Sequence, residues 1–303
     1  MKRPTAGFHA KKLSRAGARL AELLEENEKP VVTRFEFFEM IRQVYRESPS
    51  KDLGLRSDSP DAKDYVRFRA GLKKAGVIGN DRDYGARVIR VLSVPDLPAD
   101  GIIHLLDPTC YISHLSAMQW RGLTERVPRA LMLTRPNREA AATRLEARMK
   151  ETLKNETSPF PLTPIGHPAS VRRRPIRIYQ SKAAGACRKS YRYGFETFLS
   201  TTGQTFLDML QNPRLCGGMA HVLDVWEEHA LTYLDDIIAA VDQTPSSIAK
   251  CRAGYILEEY LGLRRPETER WKECVQRGGS RRLDPRRAFA PTFSETWGIS
   301  LNA

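Results

Sequence analysis

SDSPDAKDYVRFRAGLKKAGVIGNDRDYGARVIRVLS, residues 57–93, decides the fold, because it has the pattern of a basic helix followed by a two-stranded hairpin. Ser57-Asp58-Ser59-Pro60 is a helix start in which a serine or aspartate caps free backbone N–H groups and proline sits in the first turn. Tyr65, Phe68, Leu72 and Ala75 recur at helical spacing and face a core, while Lys63, Arg67 and Lys74 fall on another face, flanked by Arg69 and Lys73. Gly76 ends the helix. Val77-Ile78, a polar turn from Gly79 to Gly85 that carries Arg82, and Arg87-Val88-Ile89-Arg90-Val91 then make a short β-hairpin. Helix plus basic hairpin is the reading unit of a winged helix-turn-helix: the helix enters the major groove and the wing reaches a neighbouring phosphate or the minor groove. The same residues also suit a solvated helix face beside an ordinary hairpin.

Upstream elements complete the module. Leu13, Ala16, Leu20, Leu23 and Leu24 give a helical stripe behind a basic start with Lys2, Arg3, Lys11 and Lys12, a candidate arm on phosphate. Pro30 to Thr33 is extended, with Thr33 capping a helix through Tyr45 that buries Phe35, Phe38, Ile41 and Tyr45. Residues 1–93 hold 20 Lys and Arg against 13 Asp and Glu, so seven of the chain's thirteen excess positive charges lie in its first third. This length of 303 residues supports two domains with real cores. The excess and a pI near 9.7 point to a polyanionic partner without choosing between DNA, RNA and an acidic protein.

Five cysteines, at 110, 187, 216, 251 and 274, show no CxxC pair or zinc spacing, which predicts reduced thiols in a cytoplasm. No apolar run approaches the roughly 20 residues of a membrane span, and no secretory core is visible near Met1, so the expectation is a soluble cytoplasmic protein.

The proline-bearing connector from Val94 to Asp100 marks a boundary between a winged helix-turn-helix domain, 1–93, and a mixed α/β domain, 94–303, that ends in helices. The fold class expected is therefore α+β. In the second domain Gly101 to Leu106 is a buried-strand candidate, a helix runs from Tyr111 to Gly122, and Arg129 to Thr134 is a strand. Asn137 to Lys154 is an Ala-rich helix. Thr157 to Phe195 has no Asp or Glu and eight cations, among them Arg172, Arg173 and Arg174, a second candidate phosphate track. Tyr179, Tyr191 and Tyr193 in it also suit RNA stacking, although such tyrosines are usually structural. Gln204 to Asp242 reverses the balance, with seven carboxylates against Arg214. His221, Asp224 and Glu228 share helical spacing but lack the further ligands of a metal site. After Gly278-Gly279-Ser280 the tail carries Arg281, Arg282, Arg286 and Arg287; its last fifteen or so residues are expected to be disordered unless Phe289, Phe293 and Trp297 tie it down.

Two stretches resemble a known family. Tyr111-Ile112-Ser113-His114-Leu115-Ser116-Ala117-Met118, followed by Arg121-Gly122-Leu123-Thr124-Glu125, is similar to the serine-alanine helix and Gly-Leu-Thr-Glu turn of AbiEi-type antitoxins of type IV toxin–antitoxin, or abortive infection, systems. Gly203-Gln204-Thr205-Phe206-Leu207-Asp208-Met209-Leu210, with Gly217-Gly218 after it, resembles the family's later helix and restart. The chain departs from that pattern at Trp120-Arg121 and Gly203-Gln204. The resemblance runs from about residue 10 to 260 in the family's order of elements. It implies a DNA-binding antitoxin and transcriptional autorepressor on inverted repeats of its own promoter. It also implies a nucleotidyltransferase-like toxin as cognate partner, counteracted without a stable complex.

Together these readings assign double-stranded DNA to Lys63, Arg67, Arg69, Lys73, Lys74, Arg82, Arg87, Arg90, Arg172, Arg173 and Arg174, with a second molecule on an adjacent repeat. No GxxxxGK[ST], GxSxG or framed Cys-His pair is present, so no catalytic residue, metal or cofactor is expected. Two other classes stay open: an interaction module gripping a basic partner through its acidic helices, and a nucleic-acid-processing enzyme.

Overall fold

A computed structural model describes residues 13–47, 53, 55, 57–154, 156–181, 185–192, 194–275 and 281–303. The basic start at Lys2, Arg3, Lys11 and Lys12, together with Lys182, Tyr193 and Gly278 to Ser280, lies outside them. In chain order the elements begin with α1 (Arg15–Glu26), β1 (Val31–Val32), α2 (Arg34–Glu47), α3 (Ala62–Lys74), β2 (Ile78–Asp81), β3 (Gly85–Val91) and α4 (Ala99–Leu106). There follow β4 (Tyr111–Ile112), α5 (His114–Trp120), β5 (Leu131–Pro136), α6 (Arg138–Leu153), β6 (Ser170–Val171), β7 (Arg174–Ser181), β8 (Cys187–Arg192) and β9 (Phe195–Ser200). The C-terminal part holds α7 (Thr202–Gln211), α8 (Met219–His229), α9 (Leu234–Gln243), α10 (Ser247–Tyr255), α11 (Pro266–Trp271), β10 (Arg281–Arg282), β11 (Phe293–Ser294) and β12 (Ile299–Ser300). The fold class is α+β, with an N-terminal helical module and C-terminal helices.

Contacts divide the chain into two compact units: residues 1–110, 136–176 and 192–196, and residues 111–135, 177–191 and 197–303. The expected module, 1–93, lies within the first unit, which also takes in α4, α6 and the segment leading to β6.

In the first unit α1, α2 and α3 pack on an antiparallel sheet of order β1-β3-β2, the arrangement of a winged helix-turn-helix. Val31 pairs with Arg90, and Ile78 with Val91. Leu20, Leu24, Phe37, Phe38, Ile41, Tyr65, Phe68, Leu72, Ile89 and Val91 form one core. At about 1.5–3 kcal/mol for each fully buried large side chain, these residues supply most of the module's drive to fold. Helix α2 starts in a reciprocal box, with Thr33 Oγ1 accepting from the Glu36 N–H and Glu36 Oε2 accepting from the Thr33 N–H.

Helix α3 begins later than the sequence reading has it. Asp61, not Ser57 or Asp58, is the cap, accepting from the Lys63 and Asp64 N–H groups while Asp64 accepts from the Asp61 N–H. Pro60 therefore precedes the helix, because the Asp61/Asp64 pair satisfies more free N–H groups than a serine one turn earlier. Its other end follows expectation: Val77 N–H reaches the Leu72 carbonyl at 3.0 Å and Gly76 has φ +72°.

Gly101 to Leu106, expected as a strand, is the helix α4. Six residues of apolar run fit either state, and here Ile102, Ile103 and Leu106 face inward at helical spacing. The proline-bearing stretch from Glu156 to Pro168 packs on α2 and α3. Phe160 sits with its ring centroid 4.2 Å from that of Tyr65 and 5.5 Å from that of Phe38, and Glu156 pairs with Arg42 at 2.8 Å.

The second unit is built on strands in the order β7-β5-β4-β9-β8. Tyr111 pairs antiparallel with Thr134, and Ile112 parallel with Leu199. The helix expected over Tyr111 to Gly122 thus yields its first two residues to a strand; Ser113, buried, stands at the start of α5. Helices α7 to α10 surround a core of Phe206, Leu210, Trp226, Ile237, Val241, Ile256 and Leu257. Helices α7 and α9 meet at Gly203, where a Cβ would lie 2.1 Å from the Asp236 carbonyl oxygen.

The tail is folded, contrary to the disorder expected of its last residues. β10 pairs with β12 in parallel and β11 with β12 antiparallel. Trp297 has no exposed surface and lies on Gly254, where a Cβ would come within 2.1 Å of the indole. The buried Arg252 guanidinium donates to the Arg282 carbonyl at 2.8 Å and to the Leu210 carbonyl at 2.7 Å. Phe289 and Phe293, in contrast, are half exposed. No helix among the described residues is long and apolar enough to cross a membrane.

Candidate nucleic-acid interface

Tyr65, Phe68 and Leu72 turn one face of α3 into the core, and this fixes which residues point outward. Lys63, Val66, Arg67, Ala70, Lys73 and Lys74 form the exposed face. Among the described residues Lys63, Lys73 and Lys74 have no ion-pair partner. Arg67 leans back, bonded to Asp64 and with its guanidinium carbon 5.0 Å from the centre of the Phe68 ring. Val66 is 63% exposed. An apolar group between cations suits contact with a thymine methyl, whereas lysines suit phosphates or guanine. Val66 and Ala70 are missed when only cations are sought on this helix; the signal available is an apolar side chain at a position the helical stripe leaves outward.

The wing is tied to this helix. Arg69 Nη2 donates to the Ala86 carbonyl at 2.8 Å, so Arg69 links α3 to β3 and is only half exposed. Arg82 projects from the turn between β2 and β3, with Asp96 at 3.3 Å. Arg87 is exposed on β3. Arg90 points the other way: it donates to the carbonyls of Pro30 at 2.9 Å and Val94 at 2.7 Å, and burial lowers its pKa. Its place is the internal tie between β1, β3 and the residues after β3.

Arg172, Arg173 and Arg174 belong to the β6–β7 turn, not to α3 or the wing strands. Val171 pairs with Arg174, leaving Arg172 at φ +51° and Arg173 at φ +63°, the two-residue turn that usually takes asparagine and glycine. Arg172 is held there by charge. Its side chain is 4% exposed and donates to Asp81 at 2.7 Å, to Asp83, and to Asp96 at 3.0 Å. Burial opposes the guanidinium charge, but the bonds to Asp81 and Asp83 outweigh it and raise its pKa; burial likewise opposes the Asp81 carboxylate, which Arg172 pulls below its ordinary value. Arg172 thus neutralises the acidic side of the wing turn from within. Arg173 is exposed and Arg174 half-buried.

The outward residues are Lys63, Val66, Arg67, Lys73 and Lys74 on α3 and, on the wing, Arg82 and Arg87, the last with its guanidinium next to Gly166. Arg69 and Arg90 shape that surface from behind. Of the groups noted for other chemistry, His221 Nε2 contacts Thr124 Oγ1 at 3.0 Å and its Nδ1 lies 4.0 Å from Asp224. Tyr179 packs edge-on against the His114 ring, centroids 5.3 Å apart.

No family model matches the chain, and no curated protein does. Its structure is similar to that of the RV2827C protein from Mycobacterium tuberculosis, known from a crystal structure, at 10% sequence identity, covering 94% of this chain and 90% of that chain, with a TM-score of 0.48.

Proposed function

We propose that this chain is a DNA-binding antitoxin and transcriptional autorepressor, acting in the cytoplasm without catalytic turnover. The observation that carries the DNA half is the outward face of α3, where three lysines and Arg67 flank an exposed valine, together with the exposed Arg82 and Arg87 on the wing. A helix of this make-up reads base edges through its outer side chains and is seated by phosphate contacts from the wing. Inverted repeats in the chain's own promoter are the expected site, each half-site taking one molecule.

The antitoxin half rests on the resemblance to AbiEi-type antitoxins. The two stretches that carry it, on α5 and α7, share one core, in which Met118 and Leu123 join Phe206, Leu207 and Leu210. The partner whose activity is counteracted is a nucleotidyltransferase-like toxin encoded beside the chain, without a requirement for a stable complex. The test is a reporter fused to the chain's upstream DNA, together with co-expression of the neighbouring gene. Wild-type protein represses the reporter and restores growth; Lys63→Glu combined with Lys73→Glu abolishes repression. Full repression by that variant rules out α3 as the reading element.

A second reading is favoured by the exposed carboxylates of α8 and α9. Asp224, Glu227, Glu228, Asp235 and Asp236 are all at the surface, with Leu231 exposed between them. This strip suits a basic protein partner. Pull-down that survives charge reversal on α3 and fails on reversal of Asp224, Glu227 and Glu228 selects this reading.

A further inference from the structure

Behind the wing, three side chains with metal-ligating atoms converge in the first unit. Asp107 and Cys110 lie in the turn after α4, and His167 comes from the segment that precedes β6. One ligand atom from each lies within 4.8 Å of the others. Cys110 Sγ is 3.2 Å from Asp107 Oδ2, and His167 Nε2 is 3.3 Å from the same oxygen. Asp107 and Cys110 are buried, and the His167 side chain has no exposed surface.

We propose that Asp107, Cys110 and His167 form a zinc site, with Oδ2, Sγ and Nε2 as ligands and the fourth tetrahedral position left to water. Zinc bonds of about 2.0 Å to nitrogen and oxygen and about 2.3 Å to sulfur set tetrahedral edges of roughly 3.3 Å between nitrogen and oxygen and roughly 3.5 Å between sulfur and oxygen. The first matches the 3.3 Å from His167 to Asp107, and the 3.2 Å from Cys110 to Asp107 needs to open by only a few tenths of an ångström. A thiol, an imidazole and a carboxylate together suit zinc, whereas calcium and magnesium take oxygen ligands.

The surrounding groups are those a metal site needs. His167 Nδ1 is 2.7 Å from the Tyr84 hydroxyl, which fixes the ring and leaves Nε2 for the metal. The other oxygen of Asp107 accepts from the Thr109 N–H at 3.0 Å and from the Thr109 hydroxyl, so Oδ2 alone faces the cluster. Without metal, Oδ2 receives both the imidazole N–H and the thiol S–H, a weak donor. On binding, Cys110 releases its proton to solvent, and the His167 proton moves to Nδ1 and is donated to Tyr84. The metal then joins the end of α4, the segment before β6 and, through Tyr84, the wing turn. This site stands or falls apart from DNA recognition.

The test uses the full-length protein, stripped of metal and titrated with Co2+ alone, followed by Zn2+. The expected result is one cobalt per chain, with the intense visible bands of tetrahedral coordination and a thiolate-to-cobalt charge-transfer band, both lost on displacement by Zn2+. Cys110→Ser removes the charge-transfer band, and Cys187→Ser, at an exposed cysteine elsewhere, keeps it. If Cys110→Ser does not fold, the wild-type spectrum decides. A weak octahedral spectrum, no thiolate band, or a band that survives in folded Cys110→Ser overturns the site.

Discussion

Arg69 on α3 donates from Nη2 to the carbonyl of Ala86 on β3 at 2.8 Å, so α3 and the wing are joined by one of the cations that the sequence marks as a candidate DNA contact. Arg69→Met is expected to leave the fold intact, at a cost of about 0.5–1.5 kcal/mol for the lost bond. With the wing no longer held against the helix, affinity for specific and scrambled duplex should fall together. Anisotropy titrations with both DNAs check this; a change in preference between them instead assigns Arg69 to a base.

On the proposed function, Lys63 and Arg87 should separate base reading from phosphate seating. Lys63→Ala should cost about 1–3 kcal/mol on the cognate site and relax preference at one position if the lysine meets a base edge. Arg87→Ala should weaken all duplexes alike and flatten the slope of log K against log salt by about 0.9. A salt series on both variants distinguishes them, and identical behaviour contradicts the division of labour.

Arg172 supports a different prediction. Because it is buried against Asp81, Asp83 and Asp96, removing it by Arg172→Leu strands Asp81 in the interior. Breaking a buried pair from one side costs about 3–5 kcal/mol. Chemical denaturation should register that loss; a stability within about 1 kcal/mol of wild type would show that the three carboxylates are already solvated.

The fold of the winged module is legible in residues 57–93 because its apolar stripe, glycine stop and alternating hairpin agree with one another. Its cap is not, since serine and aspartate at 57–61 offer several starts and only the reciprocal Asp61/Asp64 bonds choose between them. Gly101 to Leu106 is ambiguous in principle: a short apolar run carries no period. Of the cations, exposure follows from where Tyr65, Phe68 and Leu72 point, which makes Lys63, Lys73 and Lys74 readable. The fates of Arg90 and Arg172 are not, because their partners at Pro30, Val94, Asp81, Asp83 and Asp96 are set by tertiary structure. The folded tail is legible only in part: Trp297 stands out as a candidate anchor, but the glycine it packs on at 254 is not singled out by composition.

Gly254→Ala places a methyl group where the Trp297 indole lies. The indole must shift, and overpacking of this kind costs about 1–3 kcal/mol. Thermal unfolding should show the loss, and pairing with Trp297→Leu should recover part of it. Additive losses would contradict a direct clash.

Two buried groups of the second unit act oppositely with pH. Burial pushes Asp208 up from 3.8 to about 7, so the folded chain holds a proton that the unfolded chain releases; this contribution is full below pH 3.8 and lost as pH rises through about 7. Burial pushes His114 down from 6.5 to about 4, a contribution full above pH 6.5 and lost as pH falls through about 4. Asp208→Asn keeps an acceptor for the Gln204 side-chain amide and removes the first effect. The melting temperature of the variant relative to wild type should therefore rise between pH 5 and pH 8; a constant difference contradicts the burial argument.

Everything proposed for the promoter depends on sequence-specific binding by α3. The decisive experiment titrates full-length protein against the duplex immediately upstream of its own gene, with scrambled competitor, at several salt concentrations. Tight binding that resists competitor and is lost in the Lys63→Glu, Lys73→Glu double variant is the predicted result. Weak binding, equal for cognate and scrambled duplex and steeply dependent on salt, would contradict it and leave the positive charge as a general attraction for polyanions.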